Sequence, residues 1–357
     1  MDLNPIIDKL SSGTRLDRED GIALFRTFDL LALGRMASAV AEAKNGKHVY
    51  FVQNMHINPT NICVNRCKFC AFSRSKGEPG AYEMSIDDIL NKARTAAPGV
   101  REFHIVSGLH PDLPFSWYLE MLRSLKKEFP NIHIKAFTAV EIDYLARLGR
   151  LGLRETLEQL REAGLDSLPG GGAEIFNPGV RNTLCAEKIS GERWLEVMTA
   201  AHAIGLKSNA TMLYGHIETV EDRVDHLLKL RELQDRTGGF QAFIPLSFHS
   251  QNTEIKKSAY TTGFDDLKTL AVSRLLLDNF DHIKAYWVML GEKITQVSLN
   301  FGVDDIDGTV VEERITKMAG GTTDGCMTRD ELIALIRQAG KIPVERDTVY
   351  SVVRIWE

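Results

Sequence analysis

The sequence predicts a (β/α)8 barrel of the TIM type behind an N-terminal helical extension. Three observations carry that expectation. From Val49 onward, short apolar runs of strand character alternate with amphipathic stretches of helical period, recurring at roughly 30 to 40 residues, as βαβ units do. Eight such runs can be counted, the number that closes a barrel. The glycine loops G-x-G-x-x-G and G-x-x-x-x-G-K-[ST], which mark the alternative of a doubly wound open sheet, are absent, and no low-complexity linker divides the 357 residues.

Residues 1–47 read as helical, with Asp17-Arg-Glu-Asp opening one helix and apolar positions from Leu30 to Ala43 continuing at helical spacing before Asn45-Gly46. The barrel is expected over 48–357, with a helix and strand cap at its C-terminus. Val49 to Ile57 is its first strand. Ser85 caps a helix from Ile86 to Ala96, and Asp87 and Asp88 sit in its first turn. The next strands are Glu102 to Ser107, Ile132 to Thr138, an irregular Asp166 to Glu174, Lys207 to Tyr214, Phe240 to Phe248, His282 to Leu290 and a weak Asp305 to Val310. Helical stretches follow them: Trp117 to Phe129, Leu153 to Ala163, Glu192 to Ile204, Val220 to Arg236, Asp266 to Asp278, Gly291 to Phe301 and Arg329 to Ala339.

Composition narrows the setting. A 44% hydrophobic and 25% charged chain is globular with a substantial core. The net charge of −5 gives no bulk reason to bind nucleic acid or an anionic membrane. No apolar run is long enough to span a bilayer, and the start lacks the basic and apolar regions of a secretory signal. Five cysteines, three of them clustered, argue against a disulfide framework and for a reducing cytoplasm.

Those three are Cys63, Cys67 and Cys70, spaced C-x3-C-x2-C after the first strand. Thiolates are soft ligands for zinc or iron–sulfur clusters. A closed structural zinc site wants four ligands, usually from two separated pairs, and there is no second pair here. Zinc would have to recruit Cys185, Cys326 or a histidine such as His56 at long range. Three thiols on one loop suit a [4Fe–4S] cube with one iron open to a small molecule. The remaining alternative is three thiols with no ligand role.

This run, with Phe69 in its aromatic position, resembles the radical S-adenosylmethionine (SAM) superfamily signature C-x3-C-x-aromatic-C. The resemblance implies that Cys63, Cys67 and Cys70 hold a [4Fe–4S] cluster whose open iron is chelated by SAM, and that one-electron cleavage of SAM yields methionine and a 5′-deoxyadenosyl radical. Barrel sites gather at the C-terminal ends of the strands, which gives the remaining candidates. Ser107-Gly108 takes the place of the superfamily's turn for the SAM ammonium, here without the acidic residue often found there. Glu174 after the fourth strand is the first candidate for the SAM ribose and Glu141 the second. Arg181 ranks ahead of Lys188 and Arg193 for the SAM carboxylate. Phe72, Gly215 and the end of the sixth strand resemble the adenine-binding edge. Pro169-Gly-Gly-Gly172 marks a bulge or a close backbone approach to a ligand rather than a phosphate loop.

Within the superfamily the stretches Asn58 to Cys63, Cys67 to Phe72, Gly108 to Asp112 and Tyr214 to His216 resemble a narrower group: aminofutalosine synthase, dehypoxanthine futalosine cyclase and the FO synthase subunits. Phe72 to Tyr82, Ala136 to Ile142 and Pro343 to Tyr350 look most like the first of these. That implies addition of the adenosyl radical to the enolpyruvyl double bond of carboxyvinyloxybenzoate, loss of bicarbonate and formation of aminodeoxyfutalosine for menaquinone biosynthesis. It also implies a reducing partner such as flavodoxin or ferredoxin. Arg74, His110, His216 and His249, with Arg181, are the candidates for the substrate's carboxylates. A cyclase, an FO-synthase-like enzyme and a zinc-stabilised, non-redox barrel are the alternatives.

Overall fold

Eleven strands form one sheet among the described residues, in the order β11-β10-β1-β9-β8-β7-β6-β5-β4-β3-β2. Their bounds are β1 His48–Phe51, β2 Asn54–Ile57, β3 Glu102–Ile105, β4 His133–Ala136, β5 Ser167–Leu168, β6 Lys207–Tyr214, β7 Phe240–Ser247, β8 His282–Ala285, β9 Asp305–Ile306, β10 Ile342–Arg346 and β11 Val352–Ile355. The computed structural model describes residues 3–96, 99–255, 261–321, 323 and 326–357.

Strands β2 to β9 run parallel and curl until the chain just past β9 meets β2. There Met55 and Val311 form a parallel bridge, His56 N–H donates to Val311 O at 2.9 Å, and Thr309 N–H donates to Val52 O at 3.2 Å. Eight parallel staves with crossover helices are the TIM-type barrel the sequence predicts. Its helices lie outside, where Phe103, Ile134, Phe243 and Ile283 from the strands join Leu122, Leu160, Trp194, Leu230 and Leu270 in one apolar cluster. Each such side chain contributes about 1.5–3 kcal/mol when fully buried.

Several element boundaries differ from expectation. The first predicted strand is two. β1 leaves the barrel to pair with β10 from His48↔Ile342 to Phe51↔Glu345 and to touch β9 at Tyr50↔Asp305, while β2 alone enters the barrel. The fourth strand shrinks to Ser167–Leu168 because Gly170, at φ +84°, lies against β6, where a Cβ would fall 2.2 Å from Asn209 O. At Gly170 the close approach is thus to a neighbouring strand rather than to a ligand, while Gly171 and Gly172 line a cavity. The seventh ends at Ala285, and Trp287–Leu290 is a helical turn whose Trp287 Nε1 donates to Gly308 O at 2.8 Å. Thr138 to Glu141, read as a strand end, starts the helix Ala139–Gly149 through a capping box.

The N-terminal helices Asn4–Ser11, Arg18–Arg26 and Leu30–Asn45 lie against the barrel's outer helices. Leu24, Leu33 and Ala37 are fully buried in the common core. Lys268 Nζ ties the extension down by donating to Phe25 O at 2.9 Å and Thr27 O at 2.7 Å. Among the described residues no helix is long and apolar enough to cross a membrane.

The barrel's interior is ionic. Lys135 bonds Glu102 at 2.8 Å, Lys284 bonds Asp307 at 3.0 Å, and Arg346 bonds Asp305 at 2.7 Å. Lys284 also lies 3.7 Å from Asp305, linking the last two pairs. β10 thereby places Arg346 under the barrel, opposite the end where the cysteine loop emerges from β2.

Candidate active site

The cysteine loop is held at the top of the barrel by its own backbone. Cys63 N–H donates to Arg74 O at 3.0 Å and Arg74 N–H to Asn61 O at 2.8 Å, so the segment folds back on itself. Gly108 N–H donates to Thr60 O at 2.9 Å, and Val64 N–H to Leu109 O at 3.0 Å, docking the loop on the turn after β3. A Cβ on Gly108 would fall 2.3 Å from Ile62 O, so only glycine permits that approach. On the far side Lys68 N–H donates to Leu184 O at 2.8 Å.

All five cysteines are unpaired, and Cys63, Cys67 and Cys70 line one cavity of about 330 Å3. Burial pushes the Cys63 thiol up and carries Cys67 to about 12, the latter against the opposing Lys188 ammonium. Among the described residues no group of three or more His, Cys, Asp or Glu side chains could hold a single metal ion. A cube, whose thiolates bind different irons, makes no such demand, and three half-buried free thiols on one cavity wall suit it, with the buried Cys185 near Cys67 but off that wall.

Around the thiols the cavity wall carries two acidic stations. Glu141, in the first turn of its helix, accepts Ser107 N–H at 3.0 Å and Ser107 Oγ–H at 3.3 Å, together with Thr138 N–H at 2.8 Å and Oγ1–H at 2.9 Å. Burial raises it to about 7 against those hydrogen bonds. The turn after β3 therefore has its acidic neighbour after all, supplied from the next strand end. Glu174, held at φ +49°, bonds Lys188 Nζ at 2.6 Å, and that ammonium lies 5.0 Å from the Phe69 ring centroid. Burial raises the Glu174 carboxyl, but Lys188 outweighs it and holds the group below the usual range.

Of the residues expected at the site, the cavity wall brings together Cys63, Cys67, Cys70, Phe69, Phe72, Ser107, Gly108, Glu141, Glu174 and His249. His249 Nε2 donates to Met289 O at 2.9 Å. Five others lie off the wall. The Arg74 guanidinium donates to Ala71 O at 2.9 Å and Ser73 O at 2.8 Å. His110, buried, accepts Asp112 N–H at 3.1 Å and lies 2.7 Å from Glu83. Arg181 spends its guanidinium on the carbonyls of Ala173, Ile175 and Ile189, tying down the loop after β5. Gly215, at φ +87°, and His216 form the turn after β6, where Gly215 N–H donates to Glu218 at 2.5 Å and His216 Nε2 donates to Leu213 O at 2.9 Å.

Strand-end reasoning missed the cavity's floor. His56 on β2, His104 on β3 and Asp307 beyond β9 line it, and above them Val106, Leu213, Leu246 and Tyr286 make apolar walls. The signal was available: a histidine at an inward, mid-strand position of two adjacent strands. Lys188 is the one Lys or Arg among the described lining residues, against Glu141, Glu174, Asp307 and Glu313.

Comparison with known proteins identifies the chain's family. Residues 57–230 match the Radical SAM superfamily and residues 237–357 the CofH/MqnC C-terminal region. The chain is 49% identical to the aminodeoxyfutalosine synthase of Thermus thermophilus, over 99% of this chain and 97% of that one. It is 38% identical to the cyclic dehypoxanthine futalosine synthase of Streptomyces coelicolor, covering 98% and 88%. It is also 38% identical to the 5-amino-6-(D-ribitylamino)uracil–L-tyrosine 4-hydroxyphenyl transferase of Methanopyrus kandleri, covering 97% and 94%. In fold it resembles the FeFe-hydrogenase maturase HydG from Carboxydothermus hydrogenoformans, with a TM-score of 0.76 at 17% identity over 98% of this chain and 80% of that one.

Proposed function

Because the chain belongs to the radical SAM superfamily, in the group that carries the CofH/MqnC C-terminal region, we propose that it is the futalosine-pathway enzyme making aminodeoxyfutalosine from SAM and carboxyvinyloxybenzoate. It is a radical SAM enzyme with a [4Fe–4S] cluster and SAM as its cofactors, which sets aside the zinc-stabilised alternative. When bound, cluster and SAM supply one-electron cleavage of the sulfonium bond, giving an adenosyl carbon able to add to the enolpyruvyl double bond, with methionine and bicarbonate released.

We assign Cys63, Cys67 and Cys70 as the cluster's holders. Because burial keeps the Cys63 and Cys67 thiols protonated, loading expels protons. Ser107, Gly108 and the Glu141 carboxylate behind them receive the SAM ammonium, and Glu174, oriented by Lys188, receives ribose hydroxyls. The apolar walls of Val106, Leu213 and Leu246 keep water from the reacting carbon. A small reducing protein, flavodoxin or ferredoxin, supplies the electron.

The observation that carries this reading is a three-thiol loop opening on one cavity, in a chain so similar along its whole length to an aminodeoxyfutalosine synthase. The test is anaerobic reconstitution followed by incubation with SAM, reductant and carboxyvinyloxybenzoate. An adenosine-containing adduct of the aromatic acid, identified by mass, supports it. Stoichiometric free 5′-deoxyadenosine from a nucleoside substrate would instead favour the cyclase reading, and turnover of tyrosine with the ribitylaminouracil would favour the transferase reading.

A further inference from the structure

The cavity's floor holds groups that this function leaves idle. His56 and His104 are register partners on β2 and β3, and their rings stack with centroids 4.5 Å apart and an interplanar angle of 14°. His104 turns Nδ1 toward Glu102 at 3.8 Å and keeps an edge of its ring on the cavity. His56, only 5% exposed, leaves Nε2 without a hydrogen-bond partner, its nearest charged neighbour being Asp307 at 3.9 Å. That gap is too long for a hydrogen bond. A buried imidazole nitrogen with nothing to bond to, at the edge of a cavity, marks an incomplete site.

Charge says what completes it. The substrate proposed above carries two carboxylates, and burying each one calls for a counter-charge. Lys188 is bonded to Glu174 near the thiols, and the Arg74 and Arg181 guanidinium groups are spent on backbone carbonyls off the cavity wall. The groups facing His56 cancel in pairs: Glu102 on β3 with Lys135 on β4, and Asp307 beyond β9 with Lys284 on β8. An arriving anion unbalances that floor by one charge, and one proton on the imidazoles restores it. We propose that the stacked His56–His104 pair, backed by Asp307, is the seat of the substrate's ring carboxylate, and that it takes up one proton as the carboxylate binds.

This inference rests on the proposed substrate. It orients that substrate with the ring carboxylate at the floor, the ring between Val106 and Leu246, and the double bond toward the cysteine loop. Without that anion His56 is held neutral, at about 3, by burial and by the repulsion of His104 against the pull of Asp307 and Glu102. The proton therefore arrives with the anion.

The experiment is titration calorimetry of the SAM-loaded holoenzyme without reductant, in buffers of different ionisation enthalpy. It compares carboxyvinyloxybenzoate with 2-phenoxyacrylate, which lacks only the ring carboxylate. Uptake of about one proton is expected for the first compound and none for the second. Affinity for the first falls by up to about tenfold per pH unit as pH rises, and affinity for the second stays flat. His104→Gln weakens the first by about 10- to 100-fold, the worth of a charged hydrogen bond, and spares the second. Proton release or no proton change with the first compound overturns the seat, as does an equal loss for both compounds in His104→Gln. Wild-type enzyme that binds neither compound overturns the substrate reading and the seat together. The proton count needs no variant, so a misfolded His104→Gln leaves the proposal decidable.

Discussion

Replacing Lys188 by Met tests how the cavity wall is held. Lys188 Nζ lies 2.6 Å from Glu174 Oε1, and the two side chains are 14% and 10% exposed. Burial works against the ammonium, but Glu174, with the Cys67 and Cys185 thiols, outweighs it and raises Lys188. Breaking a fully buried pair from one side costs about 3–5 kcal/mol, and the remaining exposure brings this to about 2–3 kcal/mol. At about 2.1 cal/mol/K per residue, that is a fall in Tm of about 3–4 °C for a chain of 357 residues. The pH dependence follows from Glu174. In the wild type its folded pKa is lowered, so its contribution is present above the unfolded value and lost as pH falls through the folded one. Without Lys188, burial is opposed only by the weaker pull of Arg181 and His216 and the folded pKa rises, so the carboxylate is penalised at pH 7 and relieved on protonation. The deficit of Lys188→Met, measured by urea unfolding, is therefore largest at pH 7 and shrinks toward pH 4.5. The double variant Lys188→Met with Glu174→Gln recovers most of it. A deficit independent of pH, or no recovery, would refute the argument.

Three further outcomes follow from the geometry. Gly108→Ala drives a Cβ into Ile62 O, so the chain still folds, at a cost of about 1–3 kcal/mol, but its cysteine loop no longer docks; iron retained per chain after reconstitution drops well below wild type. Glu141 is charged above about 7 and neutral below it, so SAM binding weakens several-fold as pH falls from 8 to 6. Glu141→Gln removes that slope, as equilibrium binding would show. Arg346→Met leaves the buried Asp305 carboxylate with only Lys284, 3.7 Å away, as counter-charge and costs up to about 3–5 kcal/mol in urea unfolding, most of it returned by adding Asp305→Asn.

The eight staves and the cysteine loop were legible because each is written locally, in a short apolar run recurring between helical stretches or in the spacing of three thiols. What was lost was lost for identifiable reasons. Thr138-x-x-Glu141 is a helix-start signature as well as a strand end, and the carboxylate does both jobs, capping its helix while holding Ser107. Arg181 and His216 have the right chemistry for a ligand, but nearby carbonyls take their hydrogen bonds, and no sequence pattern shows which carbonyls will be near. His56 and His104 gained no substrate role from the sequence because the rule that sends attention to strand ends passes over inward positions lower in the barrel. The break of the first strand into β1 and β2 depends on β10, a partner far along the chain.

That distant pairing also orders the folding of the molecule. β1 joins β10 in the register His48↔Ile342, so closing this contact brings together segments from opposite ends of the sequence. Such a loop is among the most expensive in chain entropy and among the slowest to form, whereas each neighbouring β-helix-β unit closes quickly from nearby residues. The staves can assemble in sequence, but Asp305 does not meet Arg346 until β10 arrives, and until then its charge must stay hydrated. Chain entropy alone thus sets the arrival of β10 beneath the barrel after the closure of the neighbouring β-helix-β units.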